Sequence, residues 1–117
     1  MTYVKINEQL YPTLMIMGRL HDSNWDNRES KYITLEMDYN QACQIFVDDI
    51  SWSIVEVEED ERGHKDEEGN PVAQTYEFDN SEFTVAGDIT AHRDGTVTVA
   101  MGKPTAEELL TLIEEVL

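Results

Sequence analysis

Residues 83–101 admit one antiparallel pairing that keeps their large side chains on one side of a sheet. Phe83, Val85 and Ile89, then Val97, Val99 and Met101, stand among polar or small residues with the two-residue period of strands. Between the two runs lies Arg93-Asp94-Gly95. A two-residue loop at Asp94-Gly95 pairs Ala91 with Thr98 and His92 with Val97, and it turns the two apolar sets to opposite faces. A three-residue loop, with Gly95 left-handed in a G1 bulge, pairs Ala91 with Val97 and Ile89 with Val99. All the large apolar residues then share a face. A slip of one residue turns a whole strand over, so the second register is expected.

The rest of the chain reads in the same terms. Tyr3–Ile6 alternates and predicts a strand, Asn7-Glu8-Gln9 a turn, and Leu10–Leu20 a second strand that begins at an edge or bends at Pro12, which cannot donate to a ladder. His21–Ser30 is a polar loop, and Tyr32–Met37 alternates again. Asp38, with Gln41 three residues on, caps a short helix whose stripe is Tyr39, Ala42, Cys43 and Phe46. Ser51–Val57 is apolar on both sides, which suggests a central strand or a bulge near Ile54. Val72–Phe78 is a returning strand, and Asp79-Asn80-Ser81 is a tight turn. Thr105-Ala-Glu-Glu108 is a capping box before a helix with the stripe Leu109, Leu112, Ile113 and Val116. The expected fold is α+β, a single domain over residues 1–117. It has an antiparallel β-sheet or small open barrel of about six or seven strands, a short middle helix, and a C-terminal helix lying on the sheet.

Charge narrows the function classes. The chain has 25 Asp and Glu against 8 Lys and Arg, a net −17 on 117 residues. Such a surface repels phosphate, so neither nucleic acid nor an anionic membrane is an expected partner. With 40% apolar residues the chain still has enough material for a core. One cysteine, Cys43, allows no internal disulfide and fits a reducing compartment. The N-terminus shows no signal-peptide pattern, and Leu14–Met17, the longest apolar run, is too short to span a bilayer. A cytoplasmic or virion-associated protein is expected.

Few residues point to chemistry. Asp22-x-Asn24-x-Asp26-Asn27 resembles the start of a calcium loop, but position twelve is Ile33 and the turn glycine is Asn27, so the EF-hand pattern fails. A looser cation site and an Asx-turn loop both remain open. Eight carboxylates between Glu56 and Asn70 offer an electrostatic handle or a merely solvated loop. Cys43 lies on a helix stripe and reads as packing. His21 and His92 have no metal-ligand spacing, and no phosphate-binding or nucleophile motif occurs, so no metal, cofactor or catalytic residue is expected. The candidate binding residues are Trp25 and Arg28, because contact hot spots favour these types. The competing expectation is that Trp25 folds back as a plug over the sheet.

The run Val4-Lys-Ile-Asn-Glu-Gln-Leu-Tyr-Pro12, with Trp25-Asp-Asn-Arg-Glu-Ser30, Asp79-Asn-Ser-Glu82 and His92-Arg-Asp-Gly-Thr96, resembles small uncharacterised proteins encoded in prophages and mobile elements of Firmicutes. The resemblance spans most of the chain and carries no catalytic residue. It implies a non-catalytic accessory protein of a phage structural module, tail-associated, that acts through protein–protein contacts. Two other classes compete with it: an acidic decoy that mimics nucleic-acid charge, and an enzyme without a recognisable motif. A decoy needs carboxylates spread over a face, whereas many here are concentrated in Glu56–Glu68.

Overall fold

The computed structural model of the chain describes residues 1–59, 65, 67–69 and 73–116. Eight strands and two helices follow one another: β1 (Thr2–Ile6), β2 (Gln9–Pro12), β3 (Met15–Asp22), β4 (Arg28–Glu36), α1 (Tyr39–Ile45), β5 (Trp52–Glu59), β6 (Ala73–Asp79), β7 (Val85–Ala91), β8 (Thr96–Gly102) and α2 (Ala106–Val116). They form two four-stranded antiparallel sheets, ordered β2-β1-β5-β6 and β3-β4-β8-β7. The fold is therefore α+β and mostly antiparallel, as expected. It is neither one sheet nor a closed barrel, and it has eight strands among the described residues rather than six or seven.

The extra strand comes from Leu10–Leu20, which is not continuous. Pro12 ends β2, and the chain changes sheets at the next two residues. The Thr13 N–H donates to Thr2 O in the first sheet (2.9 Å) and the Leu14 N–H to Thr34 O in the second (2.8 Å). The first hairpin closes on a two-residue loop, with Asn7 and Glu8 both at positive φ (51° and 65°) and Ile6 paired to Gln9.

One core joins the layers. Val4, Ile6 and Trp52 of the first sheet meet Ile33, Leu35, Val97, Val99 and Met101 of the second, joined by Phe83, by Ala42 of α1 and by Phe46, the residue that caps that helix. Trp52 is the largest fully buried side chain; its indole N–H donates to Phe83 O (3.1 Å) and its ring meets Phe83 edge-on at 6.2 Å. β5 is central, and Trp52 and Val55 are buried on its opposite faces. Its pairing with β6 runs unbroken from Ser53 to Glu59, so no bulge lies at Ile54. Most of Glu56–Glu68 lies outside the described residues.

The β7–β8 hairpin takes the expected register: Ile89 pairs with Val99, Ala91 with Val97, and Gly95 has φ +86°. One detail differs. A register shift between Ala86 and Ile89 changes the parity of β7, so Ala86, not Val85, stands opposite Met101 on the core face. Two other expectations are corrected. Cys43 is exposed, because α1 is only seven residues long and turns Ala42 and Phe46, not Cys43, to the core. Of the stripe expected to lie on the sheet, the described members Leu109 and Ile113 are 48% and 55% exposed, as is Leu110 beside them at 59%.

Gly95 offers a clean backbone test. A Cβ there meets no atom within 4 Å, so a side chain costs only the left-handed conformation. Gly95→Val is expected to destabilise by about 1–2 kcal/mol in denaturant unfolding. Gly18, on β3 with equal space and no positive φ, is the control: Gly18→Ala is expected to stabilise by about 0.5 kcal/mol. Equal effects at the two sites would contradict the bulged register.

Candidate functional site

The β3–β4 connection carries Trp25, Arg28 opens β4 directly after it, and the side chains around the turn shape it. Asp22 is fully buried. Its carboxylate accepts the Ser30 hydroxyl (2.9 Å), the Tyr32 hydroxyl and the Asn24 N–H (3.1 Å), and Arg19 lies 3.6 Å away. The Tyr32 hydrogen bond does most to hold the Asp22 carboxyl below the ordinary carboxylate range, against the opposing effect of burial. Asp22 O accepts the N–H groups of Trp25 (3.0 Å) and Asn27 (2.8 Å). Asp26 and Asn27 then sit left-handed at φ 56° and 57°, and the Arg28 N–H closes on Trp25 O (3.2 Å). Those are the dihedrals of a type I′ turn, which Asp and Asn tolerate better than other non-glycine residues. Asp22 thus has partners within the fold, and Asp26 lies 3.6 Å from Arg28. Among the described residues, no three His, Cys, Asp or Glu side chains converge on a point that would hold a metal ion.

The turn lays Trp25 back across the outer face of the second sheet, where the ring is half-buried. Two glycines make room for it. A Cβ at Gly87 would come 2.6 Å from the ring's Cη2 atom, and one at Gly102 would come 2.9 Å from Cζ3. This is the plug geometry. Arg28 stacks its guanidinium on the same ring at 4.7 Å and is itself buried, with a side chain 3% exposed. Its Nε donates to Trp25 O (3.3 Å) and Nη1 to Lys103 O (3.1 Å). Nη1 and Nη2 also grip the two oxygens of Glu108 at 2.8 and 3.1 Å. The structure therefore brings Trp25 and Arg28 together, as a stacked pair turned inward.

Glu108 completes the expected capping box as well: its Oε1 accepts the Thr105 N–H (2.8 Å) while Thr105 Oγ1 accepts the Glu108 N–H (3.2 Å). One carboxylate thus caps α2 and moors it to the sheets. Arg28 first, and the Thr105 N–H second, lower its pKa from 4.5 to about 2. Linear order gives no hint of this pairing across 80 residues.

Two surfaces remain open around this mooring. One is the exposed edge of α2 at Leu109, Leu110 and Ile113. The other is the outer face of the second sheet. There the cross-strand rows Met15-Thr34-Thr98-Thr90 and Met17-Tyr32-Ala100 are bordered by the exposed carboxylates of Glu36 on β4 and Asp88 on β7. Met15 and Met17 are 53% and 46% exposed. Between Trp25, Tyr32, Gly87, Asp88, Thr90 and Thr98 this face sinks into a cleft of about 480 Å³. Among the described residues, no helix is long and apolar enough to cross a membrane.

Compared with protein-family models, curated proteins and solved structures, the chain matches none.

The mooring fixes a pH dependence. A carboxyl whose folded pKa is depressed contributes stability that is complete above its unfolded value, 4.5, and lost as pH falls through about 2. From pH 5 to pH 2, the wild type should lose about 1 kcal/mol relative to Glu108→Gln, a figure discounted because the glutamate is nearly half open to solvent. Relief of general charge repulsion is common to both proteins and cancels. Parallel stability curves, followed by circular dichroism in urea, would show that the pair does not hold the helix.

Proposed function

We propose that the protein is a non-catalytic structural or assembly accessory protein of phage type, tail-associated, that works through protein–protein contacts. One observation carries this reading: α2 is moored at its first turn by a buried arginine while its described apolar side chains face solvent. A helix held this way is presented rather than packed, the arrangement used when an amphipathic helix is laid into a partner's apolar surface. The outer face of the second sheet, where Met15 and Met17 are exposed, is a second contact area. The concentration of carboxylates in Glu56–Glu68 counts against a nucleic-acid mimic, which needs them spread over a face. The resemblance to prophage-encoded proteins supplies the setting.

Co-expression with the products of the genes on either side tests the reading. The wild-type chain should co-purify with at least one structural gene product. Leu109→Glu should lose that capture with its melting temperature nearly unchanged, because an exposed side chain contributes little to the fold. Equal capture by the variant would contradict the role given to α2.

A further inference from the structure

The cleft beside Trp25 is built by a break in β7. Ala86 pairs with Met101 and Ile89 with Val99, so Gly87 and Asp88 together stand against the single residue Ala100, and the strand bulges. Both line the cleft, with Thr90 and Thr98 further along the sheet and with Asn24 and Trp25 of the β3–β4 turn on the other side. We propose that this cleft binds a neutral saccharide, at a site separate from the exposed edge of α2 and independent of the role given to that helix.

One wall is aromatic and fixed in advance. Gly87 and Gly102 leave room for the Trp25 ring, and Arg28 stacks on it. Arg28 turns its own donors to Lys103 and Glu108 and does not line the cleft, so the cleft meets the ring rather than the charge. The electron-rich face of an indole attracts weakly positive C–H groups, which line the flat side of a sugar ring.

The polar groups are mixed. Asn24 brings an amide, Thr90 a hydroxyl and Asp88 a carboxylate, all three exposed. Among the described residues, none of these side chains has a hydrogen-bond or ion-pair partner within the fold. Thr98 is held in place, its Oγ1 lying 2.7 Å from His92 Nε2 and 2.9 Å from Thr34 Oγ1. A sugar hydroxyl both donates and accepts, and a set containing both functions suits it. An anion would be repelled by Asp88 and by the net charge of −17. A cation needs several acceptors around it, and Asp88 is the one carboxylate on the described walls. The volume, about 480 Å³, lies within the range of roughly 300–1,000 Å³ that small-molecule sites occupy.

Titration of the full chain with cellobiose, maltose, lactose and N,N′-diacetylchitobiose, followed in proton–nitrogen correlation spectra, tests the proposal. At least one of these sugars, at up to about 20 mM, should shift the Trp25 indole N–H and the amides of Gly87 to Thr90, with a Kd near roughly 1 mM. The Trp52 indole N–H, buried and bonded to Phe83 O, should stay in place. Asp88→Ala and Thr90→Val should each raise that Kd roughly fivefold or more with the melting temperature unchanged, because both residues are exposed. Raising NaCl from about 50 mM to about 500 mM should leave the Kd within about twofold, since a neutral ligand forms no ion pair. The proposal is overturned if none of the sugars shifts these signals, if the shifts fall away from the cleft, or if both variants bind like the wild type. Shifts produced by N-acetyl-argininamide and abolished by salt, with none from the sugars, would make the cleft a cation site and overturn it as well.

Discussion

The guanidinium of Arg28 is the interaction on which the placing of the β3–β4 turn, the end of β8 and the first turn of α2 depends. It is buried, and an unpaired buried cation is strongly destabilising. Here it is met by a two-oxygen grip from Glu108, by two backbone carbonyls and by the face of Trp25. Those partners come from the β3–β4 turn, the end of β8 and the first turn of α2, so one side chain sets the mutual position of all three. The same habit recurs elsewhere. Lys103 joins Glu29 and Glu82, Lys5 joins Glu8 and Glu77, and Lys31 reaches Asn80 beside the Phe83 ring. In a chain with 8 basic residues against 25 acidic ones, these cations serve as internal ties, and the outward charge is left acidic.

What was legible in the sequence is what is local. The Gly95 loop, the Asp38 cap and the Thr105–Glu108 box each involve residues within a few positions, and local chemistry decides them. The partition into two sheets was not legible. It turns on Thr13 and Leu14, whose amides go to different layers for reasons set by Thr2 and Thr34. Nor was the parity change in β7, where a glycine at 87 serves Trp25 rather than its own strand. Trp25 and Arg28 could be picked out by residue type. Their inward stacking was weighed only for Trp25, and the grip on Glu108 joins residues too far apart for pattern to connect. The stripe of α2 illustrates a general limit: amphipathic spacing says that a face seeks burial, not which surface buries it.

That unburied edge links the fold to its proposed role. Burying a leucine or isoleucine fully is worth roughly 1.5–3 kcal/mol, so Leu109, Leu110 and Ile113 leave a large driving force unused in the single chain. The polar mooring keeps the helix in place without spending that surface. Under the proposed function, stability and contact fall to different residues: Trp52 and its core neighbours for the first, and the exposed edge of α2 for the second.

That division is tested most directly by equilibrium unfolding at high dilution, where the chain is single. The double variant Leu109→Ala/Ile113→Ala should keep its stability within about 0.5 kcal/mol of wild type, as exposed sites do. Arg28→Met, which removes the buried tie and leaves Glu108 without its partner, should lose about 3 kcal/mol or more. If the order is reversed, with the leucine and isoleucine truncations costing several kcal/mol and Arg28→Met nearly neutral, α2 is packed by its stripe and the division of labour is wrong.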